Sequence, residues 1–174
     1  MVHKVIPEKI ADMKELIVYY SMSGNTEDTA KKIASLRGAD LLRIDPVKAY
    51  PDKGFRKFFW GGKSAVMAEK PELKSYSFKA EDYDRIIIGT PVWASTFAPP
   101  IRTFLSENKE VLRTKRLAAF ACQSGNGAEK AFSRMAELLG TDHFDAELIL
   151  IDPLTHRDEA DGAKITEFCS ALDQ

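Results

Sequence analysis

The dominant feature of the sequence is the alternation of short apolar runs with helix-like segments. Five runs rich in branched residues have the length and composition of buried strands: ELIVYY (15–20), DLLRI (40–44), RIIIGT (85–90), RLAAFA (116–121) and AELILI (146–151). Helix-like segments lie between most of them, at 25–36, 98–108 and 127–140, and another closes the chain at 158–174. Strands that alternate with helices imply crossover connections and a parallel sheet. The sequence therefore predicts a doubly wound, five-stranded α/β domain with helices on both faces of the sheet, a three-layer α/β/α sandwich.

The connection between the second and third predicted strands breaks this alternation. At 174 residues the chain fits one domain, 1–174. Residues 46–80 are nevertheless too many for a plain connection. We expect an elaborated connection here, with a short helix around residues 55–68, and no second domain. Its aromatic residues should pack the segment onto the sheet: Tyr50, Phe55, Phe58, Phe59 and Trp60.

Composition and charge limit the partners that the chain can have. The formal net charge of −1 argues against a general affinity for nucleic acid. The charge is uneven, because residues 46–80 have a local balance of +5 and residues 141–174 one of −7. These are either two solvated faces or, for the first, a basic rim that attracts an anionic ligand. No apolar run approaches the ~20 residues that span a bilayer, so we expect no membrane insertion.

The use of cysteine points to a reducing compartment. Cys122 and Cys169 show no C-x-x-C spacing. Neither a zinc site nor a disulfide framework is indicated, although a single bridge between the two stays open. The first residues, MVHKVIPEKIADMK, lack the continuous apolar stretch of a secretion signal. We therefore expect a cytoplasmic protein.

Polar residues and a glycine follow the first predicted strand directly, in SMSGNT (21–26). In an open parallel sheet, ligands collect at the carboxyl ends of the strands, and the N–H groups at a helix start attract anions. The four polar side chains can add donors, and Gly24 lets the backbone come close to a ligand. The alternative is that one of these residues merely caps the helix. A cap needs only one such residue, so four of them with a glycine favour a site for an anion, above all a phosphate.

The loops predicted after the third and fourth strands have a similar character. TPVWASTFAPP (90–100) places Trp93 among small and polar residues, which is a poor setting for burial. Core packing is the commoner fate of a tryptophan, but a flat aromatic ligand stacked on Trp93 fits this setting better. CQSGNG (122–127) offers close backbone approach at two glycines and polar contacts from Ser124 and Asn126. Many turns look like CQSGNG. It is a candidate ligand-binding loop because it is expected at the same sheet edge as the other two loops.

These three loops resemble those of the flavodoxin family. SMSGNT is similar to the family's phosphate loop, a Thr/Ser-x-Thr/Ser-Gly-Asn-Thr pattern that grips the phosphate of FMN. GTPVWASTFAPPIRTFL resembles the loop and helix that lie beside the isoalloxazine ring in short flavodoxin-like proteins, and CQSGNG matches the third flavin-contacting loop less strictly. The likeness extends over most of residues 15–151 and includes FFWGG in the long connection.

The resemblance implies a flavodoxin-like fold with strand order 2-1-3-4-5 and FMN as a non-covalent cofactor. The implied FMN contacts form three groups: Ser21, Met22, Ser23, Gly24, Asn25 and Thr26 at the phosphate; Thr90, Pro91, Val92, Trp93, Ala94, Ser95 and Thr96 at the ring; and Cys122, Ser124, Gly125, Asn126 and Gly127 on its other side. An aromatic residue of the 46–80 connection, such as Tyr50 or Trp60, is an alternative cover for the second face of the flavin.

Two main functions stay open at this point. Close similarity of the loops to flavodoxins favours an electron-transfer protein that works in redox metabolism between redox partner proteins, a reductase and an electron acceptor. The alternative is an NAD(P)H-dependent FMN oxidoreductase of the quinone-reductase type, acting on small acceptors. The near-neutral charge, the basic 46–80 connection and Ser95, where many relatives carry glycine, point to this second function. A flavin-free regulatory module is a third possibility, and no residue has the setting of a catalytic nucleophile.

Overall fold

The described part of the chain forms a six-stranded sheet with helices packed on it. The computed structural model describes residues 12–51 and 68–174. In chain order the strands are β1 (Glu15–Tyr19), β2 (Asp40–Arg43), β3 (Arg85–Trp93), β4 (Thr96–Phe97), β5 (Arg116–Gln123) and β6 (Glu147–Ile151). The longer strands are parallel in the order β2-β1-β3-β5-β6, and β4 pairs with β3 in the antiparallel sense. Counted without β4, this is the predicted order 2-1-3-4-5, so the fold prediction is confirmed.

Helices cover both faces of this sheet. They are α1 (Asn25–Arg37), α2 (Pro99–Leu112), α3 (Ala128–Leu139) and α4 (Asp161–Ala171), with a 3₁₀ turn at Ala80–Asp82. Successive strand side chains point to opposite faces, and the apolar run of β3 therefore fills two cores. Ile87 packs with α1 and α4, whereas Ile86 and Ile88 pack with α2 and α3. The result is the predicted three-layer sandwich.

The described ends of the 46–80 connection lie against the sheet and α2. Pro46 and Leu73 form an isolated antiparallel bridge. The rings of Tyr76 and Phe78 pack on Phe104 of α2, with centroid distances of 5.5 and 5.2 Å. The predicted helix around 55–68, apart from its last residue, lies outside the described residues, as do Phe55, Phe58, Phe59 and Trp60.

A buried ion-pair network joins the amino ends of β1 and β3 to the end of the chain. Arg85 is fully buried, and its guanidinium donates to the Glu15 carboxylate and, at 2.9 Å, to the Leu172 carbonyl oxygen. Glu15 also accepts two hydrogen bonds from Arg37, at 2.6 and 2.8 Å. Because this network lies at the amino ends of the strands, it is separated by the length of the sheet from their carboxyl ends.

Within the two described ranges, no helix has both the length and the apolar character needed to span a bilayer.

Candidate functional site

A cavity of about 490 Å³ lies where β1, β3, β5 and β6 end. Its volume is within the range of roughly 300–1,000 Å³ that is usual for small-molecule sites. The strand order reverses between β1 and β3, which is the position where open α/β sheets bind ligands. Four loops line the cavity: Met22, Ser23, Asn25 and Thr26; Pro91, Val92, Trp93 and Ala94; Cys122, Ser124, Gly125 and Asn126; and Asp152, Leu154 and Thr155.

The amino end of α1 forms the first wall of the cavity. Gly24 is the N-cap residue in a left-handed conformation, with φ 96°, and no side chain caps the helix. The Ser21 Oγ instead accepts the N–H of Gly24 at 3.2 Å. Within the described chain, no group accepts the N–H of Asn25 or Thr26. These donors and the helix dipole are free to hold an anion, so the interpretation of this loop as a simple cap is wrong.

Charged side chains brace the first loop from outside the cavity. Arg43 donates an Nη2 hydrogen bond to the Ser21 carbonyl oxygen at 2.8 Å. The same guanidinium forms ion pairs with the carboxylates of Glu27 and Asp45, with N···O distances of 3.1 and 2.9 Å. No lysine or arginine is among the described residues that line the cavity. An anion there would therefore be bound by N–H and hydroxyl groups, without a cationic side chain.

The second wall is a tight β-hairpin that begins at Trp93. Trp93 pairs with Thr96 across β3 and β4, so the chain turns at Ala94 and Ser95 alone. These two residues have φ values of 49° and 57°, as two-residue hairpin turns of type I′ require. The prediction of a loop that starts at residue 90 is wrong, because pairing with β4 extends β3 to Trp93.

Two tyrosines hold the Trp93 indole in place. The rings of Tyr20 and Tyr50 meet it edge-on, with centroids 5.8 and 5.3 Å away and interplanar angles of 89° and 82°. Trp93 is half-buried, contacts the core and lines the cavity. The two interpretations of this tryptophan, core packing and a ligand wall, are therefore compatible. Edge-to-face contacts of this kind favour one orientation of the ring.

Helix α3 fixes the hairpin turn from the other side. Arg134 donates an Nη1 hydrogen bond to the Ser95 carbonyl oxygen at 3.1 Å. Gly127, the N-cap residue of α3, has φ 103° and packs against Ser95. The buried Gln123 accepts the N–H of Ala128 at 2.9 Å. The third loop and the hairpin turn are thus built as one unit.

The fourth wall, residues 152–155, was missed by the sequence analysis. Asp152 has φ 38°, and its carboxylate accepts a hydrogen bond from the Ser124 hydroxyl at 3.0 Å. The Leu154 N–H donates to Asn25 Oδ1 at 3.0 Å, which ties this loop to the first one. The rule that loops at the carboxyl edge bind ligands applies equally to the fifth predicted strand, and its use there would have found this wall.

Cys122 lines the cavity as an inert thiol. Both Cys122 and Cys169 are free and buried, so the disulfide bridge that the sequence left open is not formed. The Thr29 hydroxyl lies 3.5 Å from the Cys122 sulfur. Burial raises the pKa of the Cys122 thiol to about 11. The thiol is protonated at neutral pH and is therefore a poor nucleophile.

The structure divides the predicted contact residues into two groups. Twelve of them line the cavity: Met22, Ser23, Asn25, Thr26, Pro91, Val92, Trp93, Ala94, Cys122, Ser124, Gly125 and Asn126. The other six are not among the lining residues and shape the loops: Ser21, Gly24, Thr90, Ser95, Thr96 and Gly127. Thr90, for example, is fully buried, and its Oγ1 accepts the N–H of Ala98 at 2.9 Å. Contact of either group with a ligand stays a prediction.

The sheet order and the cavity at its reversal point define a flavodoxin-like α/β protein. A family model described as Flavodoxin matches residues 14–158. The chain therefore belongs to the flavodoxin family.

Solved structures share this fold at low sequence identity. A flavoprotein from Lactobacillus acidophilus NCFM, solved in complex with FMN, superposes with a TM-score of 0.70 at 22% identity, covering 90% of this chain and 98% of its own. Oxidised Flavodoxin 2 from Bacillus cereus gives a TM-score of 0.53 at 24% identity, with coverages of 91% and 97%. At such identities the likeness supports the fold, and the site has to be argued from this chain's own residues.

Proposed function

We propose that the protein binds FMN non-covalently and acts in the cytoplasm as an electron-transfer protein of redox metabolism. The observation that carries this proposal is that the uncapped amino end of α1 and the Trp93 indole line one cavity. FMN has a charged phosphate and a flat aromatic ring, and the cavity offers a suitable surface for each. Membership of the flavodoxin family and the FMN complex of the Lactobacillus acidophilus relative support the same cofactor.

The phosphate would be held at the first loop. Four donors lie at this end of the cavity. They are the free N–H groups of Asn25 and Thr26 and the hydroxyls of Ser23 and Thr26. The dipole of α1 adds favourable partial charge at that end. The Asn25 amide oxygen is already occupied by the Leu154 N–H. We therefore assign Asn25 the task of joining two walls, in addition to any contact through its backbone.

The ring would lie against the hairpin, where this chain's residues set its surroundings. Trp93 presents an aromatic wall, and Asp152 places a carboxylate among the lining residues. Both groups disfavour extra negative charge in the cavity. They should therefore lower the reduction potential of FMN bound there. FMN, when bound, supplies the redox chemistry by accepting and donating electrons. The free, buried thiols of Cys122 and Cys169 agree with a reducing compartment.

Titration of the apoprotein tests this proposal. FMN and riboflavin should both quench tryptophan fluorescence, and FMN should bind at least roughly tenfold more tightly because only it has a phosphate. Thr26→Ala should narrow that difference, since it removes a donor at the phosphate end and leaves the hairpin intact. Equal affinity of the wild-type protein for the two flavins would contradict the assignment of the first loop.

A second candidate function is an NAD(P)H-dependent FMN oxidoreductase that acts on small acceptors. The formal net charge of −1 favours it, because a carrier that docks on basic partners gains from a strongly acidic surface. Anaerobic addition of NADPH to the FMN-loaded protein separates the two functions. Bleaching within seconds would indicate the enzyme, whereas an unchanged spectrum, with reduction by dithionite alone, would indicate the carrier.

A further inference from the structure

Two arginine side chains lie together on the outer side of the hairpin. Arg134 of α3 donates to the Ser95 carbonyl oxygen at 3.1 Å. Arg102 of α2 donates to Thr96 Oγ1 at 3.3 Å, and its guanidinium carbon is 4.3 Å from the centre of the Phe97 ring. The two side chains thus contact Ser95 and Thr96, successive residues of the hairpin whose Trp93 and Ala94 line the cavity.

Neither guanidinium has an acidic partner in the part of the chain that the structure describes. Among the described residues, Arg102 and Arg134 contact no carboxylate within ion-pair distance. Most other arginines differ in this respect, because each pairs with an acidic residue: Arg37, Arg43, Arg85, Arg113 and Arg116. Burial and the neighbouring charge of Arg134 together lower the pKa of Arg102. Two like charges are therefore held close together, at a cost that an anion would remove.

The same place contains buried polar atoms without partners. The Nε of Arg102 and the Oγ of Ser106 are both buried and have no hydrogen-bond partner. Four residues apart on α2, they share one face of the helix. Buried donors in native proteins are nearly always satisfied. The Nε of Arg85 is also buried and unpartnered, but the Arg85 guanidinium has two carboxylates beside it. Arg102 has a second guanidinium beside it instead, so of these two described arginines the acceptor is missing only at Arg102.

The ionisable groups around the pair are mainly basic. Lys109 follows Arg102 by two helical turns, and Lys130 precedes Arg134 by one. The acids of these helices have other neighbours. Glu107 accepts a hydrogen bond from Tyr76 at 2.9 Å, Glu110 lies 4.0 Å from Arg113, and the charge of Glu129 acts on Glu147 of β6. Glu137 is exposed on α3. The charges that α2 and α3 present around Arg102 and Arg134 are therefore mainly positive.

We propose that Arg102 and Arg134 form an oxyanion-binding site, which takes one carboxylate or phosphate group of a small anionic reactant beside the hairpin. Guanidinium groups are suited to this, since their planar N–H pattern matches the oxygens of both anions. An anion here would satisfy the Nε of Arg102, compensate both charges and be separated from the cavity only by the hairpin. The site goes beyond the proposed function, because its residues do not line the cavity and its occupation does not require FMN.

Arginine side-chain NMR tests the site directly. The full-length ¹⁵N-labelled protein, with and without added FMN, is titrated with sodium phosphate and separately with sodium acetate at constant ionic strength. We expect the Arg102 Nε–H resonance to shift saturably, with an apparent Kd on the order of 1 mM. Comparison of the two titrations shows which oxyanion the site prefers. Arg134→Gln should weaken binding by roughly tenfold, because one charge-assisted partner is lost.

Two further variants control the experiment. Arg113→Gln removes an exposed arginine at the far end of α2 and should leave both titrations unchanged. Arg102→Lys keeps the charge but removes the Nε donor. Followed through the Nε–H resonance of Arg134, which this variant retains, binding should be weaker than in the wild-type protein. A shift that grows linearly without saturation, or that is the same in wild type and Arg134→Gln, would overturn the proposal. Since the titrations are also done without FMN, their outcome is independent of whether FMN binds.

Discussion

Gly127 at the start of α3 approaches the hairpin turn so closely that a β-carbon at this position would lie 2.9 Å from the Cα and 2.8 Å from the Oγ of Ser95. The φ of Gly127, 103°, is also one that residues with a side chain rarely adopt. Two walls of the cavity thus meet at a contact that only glycine permits.

Gly127→Ala should therefore disturb the cavity as well as the stability. We expect a loss of about 1–3 kcal/mol in the free energy of unfolding and a clear loss of FMN affinity, since the hairpin with Trp93 must move. Urea unfolding and FMN titration measure the two effects. Gly38→Ala is the matched control, because Gly38 also has positive φ (67°) but has open space around it. Gly38→Ala should lower the stability and leave FMN affinity unchanged. A loss of FMN affinity in both variants would contradict the view that Gly127 acts through its contact with the hairpin.

The fold could be predicted from the sequence because its signals are local and repeated. Strands such as RIIIGT are apolar on both faces, and the order in which they alternate with helices leaves few topologies. The hairpin could not be predicted in the same way. Ala94 and Ser95 adopt positive φ without the Asn-Gly or Gly residues that normally mark such a turn. Contacts from α3, through Gly127 and Arg134, hold the turn in this conformation.

The part of the site that could be predicted is the loop whose own residues form a recognisable pattern. SMSGNT lies at the first strand end and includes glycine and hydroxyl residues together, so its position at the cavity followed from sequence. The location of the 152–155 loop at the end of the fifth predicted strand was open to prediction, but the roles of Asp152 and Leu154 were not, because they depend on long-range contacts with Ser124 and Asn25. Such contacts between residues 28 and 129 positions apart leave no local pattern.

Replacement of Trp93 tests the aromatic wall. Trp93→Leu should weaken FMN binding by roughly tenfold, because an aromatic contact contributes about 0.5–1.5 kcal/mol beyond its buried area. The midpoint potential of the bound flavin should become less negative. Trp93→Phe, which keeps a smaller ring, should give intermediate values in both the titration and the potentiometric measurement. Unchanged affinity and potential in the leucine variant would place the flavin ring elsewhere.

The ion-pair network at the opposite edge of the sheet should affect stability without affecting the site. Glu15→Gln removes the carboxylate that the fully buried Arg85 shares with Arg37 and leaves Arg85 only the more distant Asp145, at 3.4 Å, among the described residues. We expect the free energy of unfolding to fall by about 3–5 kcal/mol. FMN affinity of the folded fraction should be unchanged. Lys31→Gln breaks the exposed pair with Glu27 and should change stability by less than about 0.5 kcal/mol. Similar losses of stability in the two variants would show that Arg85 binds another group or water in Glu15→Gln.

Cys122 should make the stability of the protein depend on alkaline pH. Its folded pKa is raised from 9.0 to about 11 by burial, so the unfolded thiol loses its proton at a lower pH than the folded one. The stabilisation is complete below pH 9 and is lost as the pH rises from 9 towards 11, by up to about 1.4 kcal/mol per pH unit. Urea unfolding at several pH values should show a shallower decline in Cys122→Ala. Burial raises the pKa of Tyr20 as well, so the free energy of unfolding of Cys122→Ala should still decline with pH, but less steeply than that of the wild-type protein. An equal slope in both proteins would mean that the thiol is not protected from solvent in the folded state.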